Sequence, residues 1–102
     1  MTYRFLAPAR SDFDDAVDWF ASQQPASVNN FIAEAYATVQ RMLATPHGFP
    51  RAGRVAGGRQ ARVSTVHRFG YLVYYEVTAT ELLILCVVHS KRGSHPWRQR
   101  LP

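Results

Sequence analysis

Residues 69–88 read FGYLVYYEVTATELLILCVV, and their reading decides the fold. Phe69–Val77 and Leu82–Val88 are nearly continuous in apolar, aromatic and β-branched residues. Runs of that length and composition are expected as buried strands. The segment between them is short enough for a hairpin turn, so the two should pair as central strands. Glu76 and Glu81 flank the turn and read as its solvated tip.

Upstream, Gln60, Arg62 and Ser64 alternate with Ala61, Val63 and Thr65, the two-residue period of a third strand with one face toward solvent. PHGFPRAGRVAGG (residues 46–58) carries Gly and Pro at a density that no helix or strand interior tolerates, and reads as a loop. Further back, Val28, Phe31, Ile32, Ala35, Val39, Met42 and Leu43 recur in steps of three and four. This predicts a helix from Pro25 to about Ala44, stopped by Thr45 and Pro46. SQQP separates it from an earlier helix whose apolar face is Phe13, Ala16, Val17 and Phe20, and so short a break makes the pair an antiparallel hairpin. Ser11 with Asp14 resembles a capping box, and Asp12, Asp14 and Asp15 suit the positive end of the helix without further role. YRFLAP (residues 3–8) is a short strand closed by Pro8. The order predicts an α+β fold: an N-terminal strand, then an antiparallel helical hairpin packed on one face of a mostly antiparallel four-stranded sheet.

The 102 residues, 47% of them hydrophobic, are enough for one domain spanning 1–102, with a basic tail from about residue 89. The lone Cys86 lies in an apolar run and can form no intramolecular disulfide, which fits a reducing compartment. The N-terminus has no apolar stretch of secretory type, and Leu82–Val88 falls far short of the ~20 residues a membrane helix needs. A cytoplasmic location with no membrane partner is therefore expected. Net charge is +5, unevenly spread. Residues 47–75 hold Arg51, Arg54, Arg59, Arg62 and Arg68 with no acid, and residues 89–102 hold Lys91, Arg92, Arg98 and Arg100 with none. Such clustering suits nucleic acid or an acidic protein, or simply keeps the surface soluble.

His89 at the end of the last strand either bonds a backbone carbonyl to turn the chain or serves as an acid or base. Trp97 either folds back to seal a core edge or anchors an interface. Arg92, just past the last strand, offers a planar five-donor fork to a phosphate or carboxylate. The spacing of His47, His67 and His95 matches no zinc site, and GRVAGGR lacks the Lys-Ser/Thr of a phosphate-cradling loop. No metal, cofactor or small-molecule ligand is expected.

The opening strand ending at Pro8-Ala9, Phe13 and Trp19, the helix from Pro25 to Leu43, the Pro46 loop, the Arg68–Tyr75 strand and Val88-His89 with Arg92 together resemble the RelE/ParE superfamily of type II toxin–antitoxin toxins. The Gly70–Tyr75 strand, His89–Arg92 and Pro96–Arg100 look closer to ParE-like members. The resemblance implies a toxin associated with growth inhibition and plasmid stabilisation, neutralised by a cognate antitoxin and inhibiting DNA gyrase without being a hydrolase. The alternatives it leaves are a RelE-like endonuclease that cuts mRNA on the ribosome, and a degenerate toxin retained only as an antitoxin-binding module. For gyrase or another target, the implied binding residues are Arg62, Arg68, His89, Lys91, Arg92, Trp97 and Arg98. For a nuclease, the implied catalytic set is His89, Arg92, Arg62 and Arg68. Against the nuclease stand the single lysine and Trp97, whose ring has no titratable proton, where a RelE-like enzyme presents a tyrosine.

Overall fold

The computed structural model describes residues 1–55, 57–92, 97 and 100, and of Arg92 the backbone alone. In chain order it comprises β1 (Thr2–Phe5), α1 (Ala7–Gln23), a 3-10 turn (Pro25–Ser27), α2 (Val28–Ala44), β2 (Arg51–Arg54), β3 (Gln60–Val66), β4 (Tyr71–Val77), β5 (Glu81–His89) and a second 3-10 turn (Ser90–Arg92). The strands form one sheet in the order β1-β5-β4-β3-β2. The sheet thus has five strands, not four. The extra one is β2, inside the stretch expected to be a loop. RAGR has no β-branched residue, and Gly53 adopts φ 128°. It is a strand because it pairs antiparallel with β3, with a register shift between Arg51 and Gly53. All pairings are antiparallel except β1 with β5, which run parallel.

The two apolar runs do occupy the interior positions of the sheet. Val73, Tyr74, Tyr75 and Glu76 are buried in succession, and successive strand residues point to opposite faces, so both faces of β4 are covered. One face meets the helices: Phe20 and Phe31 stack at 4.6 Å between centroids, and Tyr71 lies 5.1 Å from Phe31. On the other, Trp97 stacks on Tyr74 at 5.1 Å and is fully buried. Trp97 is therefore a core residue and offers no surface to a partner. In β3 the buried set is Ala61, Ser64 and Val66, so the phase of the alternation changes midway; α2 packs over this strand and takes in Ser64, which a single solvent face would expose.

Two readings at chain ends of elements are also corrected. The first helix begins at Ala7, with extended Leu6 before it and Pro8 in its first turn, where the missing N–H costs nothing. Ser11 and Asp14 lie inside the helix and form no capping box; Asp14 instead pairs with Arg10 at 3.2 Å. Glu76 is not at a solvated tip: it is 1% exposed and its Oε2 accepts from Arg59 Nε at 2.6 Å. The hairpin closes beyond it through Thr78, whose N–H reaches Glu81 O at 2.8 Å, while Glu81 pairs with Arg4 across the β1–β5 edge. Among the described residues no helix is long and apolar enough to cross a membrane.

Candidate functional site

The β3–β4 turn, the end of β5 and one side of α1 enclose a cleft of about 510 Å³. Its floor is apolar, from Phe20, Phe69, Tyr71, Val87 and Val88, and its rim carries Asp15, Arg68 and His89. Trp19, which shares α1 with the buried Phe20, is 46% exposed at this cleft. Phe20 and Trp19 are adjacent on the helix, and a helix that buries one must turn the other away from the core. An exposed indole beside an apolar floor is a feature that protein interfaces use and isolated surfaces avoid.

Backbone geometry sets the rim. Arg68 has φ 73°, a left-handed conformation that a branched or bulky residue rarely adopts, and it sits in the turn that closes β3 onto β4. Gly70 follows with φ 69°, and a Cβ there would lie 3.3 Å from His89 Nε2. A side chain there would be strained in its backbone and would press on the imidazole. His89 in turn accepts the Lys91 N–H at Nδ1 over 3.2 Å, which puts the ring proton of the neutral form on Nε2, and its ring meets the edge of Tyr71 at 5.1 Å. The Ser90 N–H donates to Gly70 O at 2.8 Å. His89 is thus occupied in turning the chain out of β5.

Behind the cleft, Asp12 ties α1 to β5. Its Oδ2 accepts the Val87 N–H at 3.1 Å and Arg100 Nη1 at 2.6 Å, and Arg100 Nη1 also reaches Leu85 O at 2.8 Å. Leu85 is the extra residue in the register shift between β4 and β5, where Tyr74 faces Cys86 but Tyr75 faces Ile84. Cys86 lies in this knot; burial, then the Asp12 charge, pushes its thiol up to about 12, against the pull of Arg100. It stays a thiol. Asp12 therefore does not cap the helix but ties it to the sheet, and no local signal in the sequence could have paired it with a residue 88 positions away.

The expected site residues separate. Arg68 and His89 share the cleft, and Lys91 follows on its exposed turn. Arg62 does not join them: it faces Tyr75, while His89 faces Tyr71, and four residues along a strand is about 13 Å. Its Nη1 donates to Phe49 O at 2.8 Å, and it lines a different cleft with His47, Arg51, Arg54, Gln60 and Val77. The side chain of Arg92 and the whole of Arg98 lie outside the described residues. Trp19, Phe69 and Tyr71 were not among the expected binding residues; a tryptophan next to a core phenylalanine in one helix was the available signal.

The chain is thus a hairpin of helices on a mixed sheet, with a cleft where helix and sheet part. The solved structure titled "Chromosomal ParDE TA system from P. aeruginosa" superposes with a TM-score of 0.74 at 19% identity, covering 89% of this chain and 97% of that one. The family model described as ParE toxin of type II toxin-antitoxin system, parDE, matches residues 3–93, and the chain belongs to that family. No curated protein matches it.

Proposed function

We propose that the chain is neutralised by an antitoxin segment seated in the cleft between α1 and the sheet, and that free of it the chain inhibits DNA gyrase. The exposed Trp19 over an apolar floor carries the first part. A short amphipathic segment could bury the indole and place an acidic side chain on Arg68, the cation of the rim. For the target, the surface we favour is Arg68, His89 and Lys91; Arg92 and Arg98 are proposed target contacts on the sequence alone. Membership of the ParE toxin family supports gyrase over the ribosome. So does the separation of Arg62 from His89, because general acid–base cleavage of RNA needs its groups within hydrogen-bond reach of one phosphate.

Purified protein incubated with gyrase and supercoiled plasmid should accumulate cleavage complexes or abolish supercoiling. Cuts in ribosome-bound mRNA, with gyrase unaffected, would overturn the target. Trp19→Ala should melt as the parent does yet escape neutralisation by the cognate antitoxin when the two are co-expressed. Wild-type neutralisation of a folded Trp19→Ala variant would remove the cleft from antitoxin binding. Arg92→Ala should lose toxicity at unchanged melting temperature; retained toxicity would take Arg92 out of the target surface.

A further inference from the structure

The second cleft, about 300 Å³ at the opposite end of β3 and β4, is lined by His47, Arg51, Arg54, Gln60, Arg62 and Val77. It has no acidic residue in its lining. Arg51 and Arg62 are direct cross-strand partners in the β2–β3 ladder, an arrangement that repels and that folding alone gives no reason to keep. The ion pairs among the described residues engage Arg4, Arg10, Arg59 and Arg100, and none engages Arg51, Arg54 or Arg62. Two of the three guanidinium groups are instead steadied by neutral carbonyls: Arg54 Nη1 donates to Gly58 O at 2.6 Å and Arg62 Nη1 to Phe49 O at 2.8 Å. Such bonds hold the fork in place, leave most of its five donors free and leave its charge uncompensated. Arg54 is held by the turn that brings β2 onto β3, where Val55 N–H meets Arg59 O at 2.8 Å and Gly57 and Gly58 have positive φ.

We infer that this cleft binds backbone phosphates of duplex DNA. Three convergent guanidinium groups with an exposed imidazole beside them match a multiply charged oxyanion. Among the described residues the lining offers a peptide only Val77 as apolar contact, whereas a peptide interface draws its affinity from buried anchors. It also lacks a Phe, Tyr or Trp on which unpaired bases would stack, as single-stranded nucleic acid requires. What remains is a reader of the duplex backbone, where phosphate density is highest and sequence is not sensed. The net charge of +5 adds attraction at a distance. The inference is independent of the gyrase reading, since a chain with another target would bind DNA through this cleft all the same.

The test is fluorescence anisotropy of the full chain against a labelled DNA duplex of about two helical turns, over a series of salt concentrations, with three competitors: unlabelled duplex, single-stranded RNA of the same length and a polyglutamate peptide. Arg51→Ala and Arg54→Ala should each weaken duplex binding roughly tenfold and lower the slope of log affinity against log salt by about 1. Arg10→Ala, which removes the same charge from α1, should change neither by a comparable amount. Melting temperature is the second readout: Arg51→Ala should melt at or above the parent temperature, because it relieves a like-charge pair. Failure of the parent chain to bind duplex, equal losses in Arg10→Ala and Arg51→Ala, or tighter binding of RNA or polyglutamate than of duplex would each overturn the assignment.

Discussion

On the β5 side of the sheet an arginine is closed into the fold, and on the β2 side three are left open. Arg100 is tied to Asp12 and to the carbonyl of a bulge residue, with 18% of its side chain exposed. Arg51, Arg54 and Arg62 share a cleft with no carboxylate. Both regions come from stretches of sequence that hold several arginines and no acid. The difference lies in what the fold brings to them: α1 delivers Asp12 to the first, whereas the end of α2 and the loop after it deliver only His47 and backbone carbonyls to the second. An arginine met by a carboxylate holds structure together, and one held by neutral carbonyls remains available to an anion.

The contrast can be tested from the closed side first. Trp97→Ala empties the site beside Tyr74 that seals this region, and should cost about 3–5 kcal/mol, read as a lower denaturation midpoint. A variant that unfolds like the parent would mean that Trp97 is not part of the core. Asp12→Ala leaves Arg100 without its carboxylate and the Val87 N–H without its acceptor, at about 2–4 kcal/mol, or a melting temperature lower by roughly 10 °C or more. Arg100→Ala combined with it should add little, because the two act as one unit.

Alkaline pH samples both regions at once. Burial, with the Asp12 charge second, pushes Cys86 from 9.0 up to about 12, and burial pushes Tyr75 from 10.0 up to about 12 against the opposing charge of Arg62. Both values are raised, so the unfolded chain releases these protons first. Stability should hold up to about pH 9 and then fall toward pH 12, by at most roughly 1.4 kcal/mol per pH unit for each group. Denaturant titrations across that range check it, and Cys86→Ala should flatten the earlier part of the decline. The smallest effect belongs to the open side: Arg51→Ala should leave stability unchanged or raise it by up to about 1 kcal/mol. A clear loss would mean that Arg51 is structural and the two regions do not differ in kind.

The family and most of the fold are legible in the sequence. Val28 to Leu43 reads as a helix because its apolar steps match one turn, and β4 and β5 read as central strands because both faces of each are apolar. These are patterns within a few residues, set by backbone geometry that every chain shares. β2 was not legible, since RAGR has no strand preference of its own and owes its form to the partner beside it. Glu76 was misread for a related reason: only the return of Arg59 across the sheet makes its burial tolerable.

The candidate sites divide along the same line. That the chain is rich in arginine and that Arg68 and His89 bracket the central hairpin could be read residue by residue. Which arginines are neutralised could not, because pairing depends on contacts between residues distant in the chain, and local patterns carry no record of those distances. Arg100 finds Asp12, Trp97 finds Tyr74, and Arg62 comes to face Arg51 instead of His89, solely because burying the helices and the two hydrophobic strands in one core fixes where every other side chain must lie.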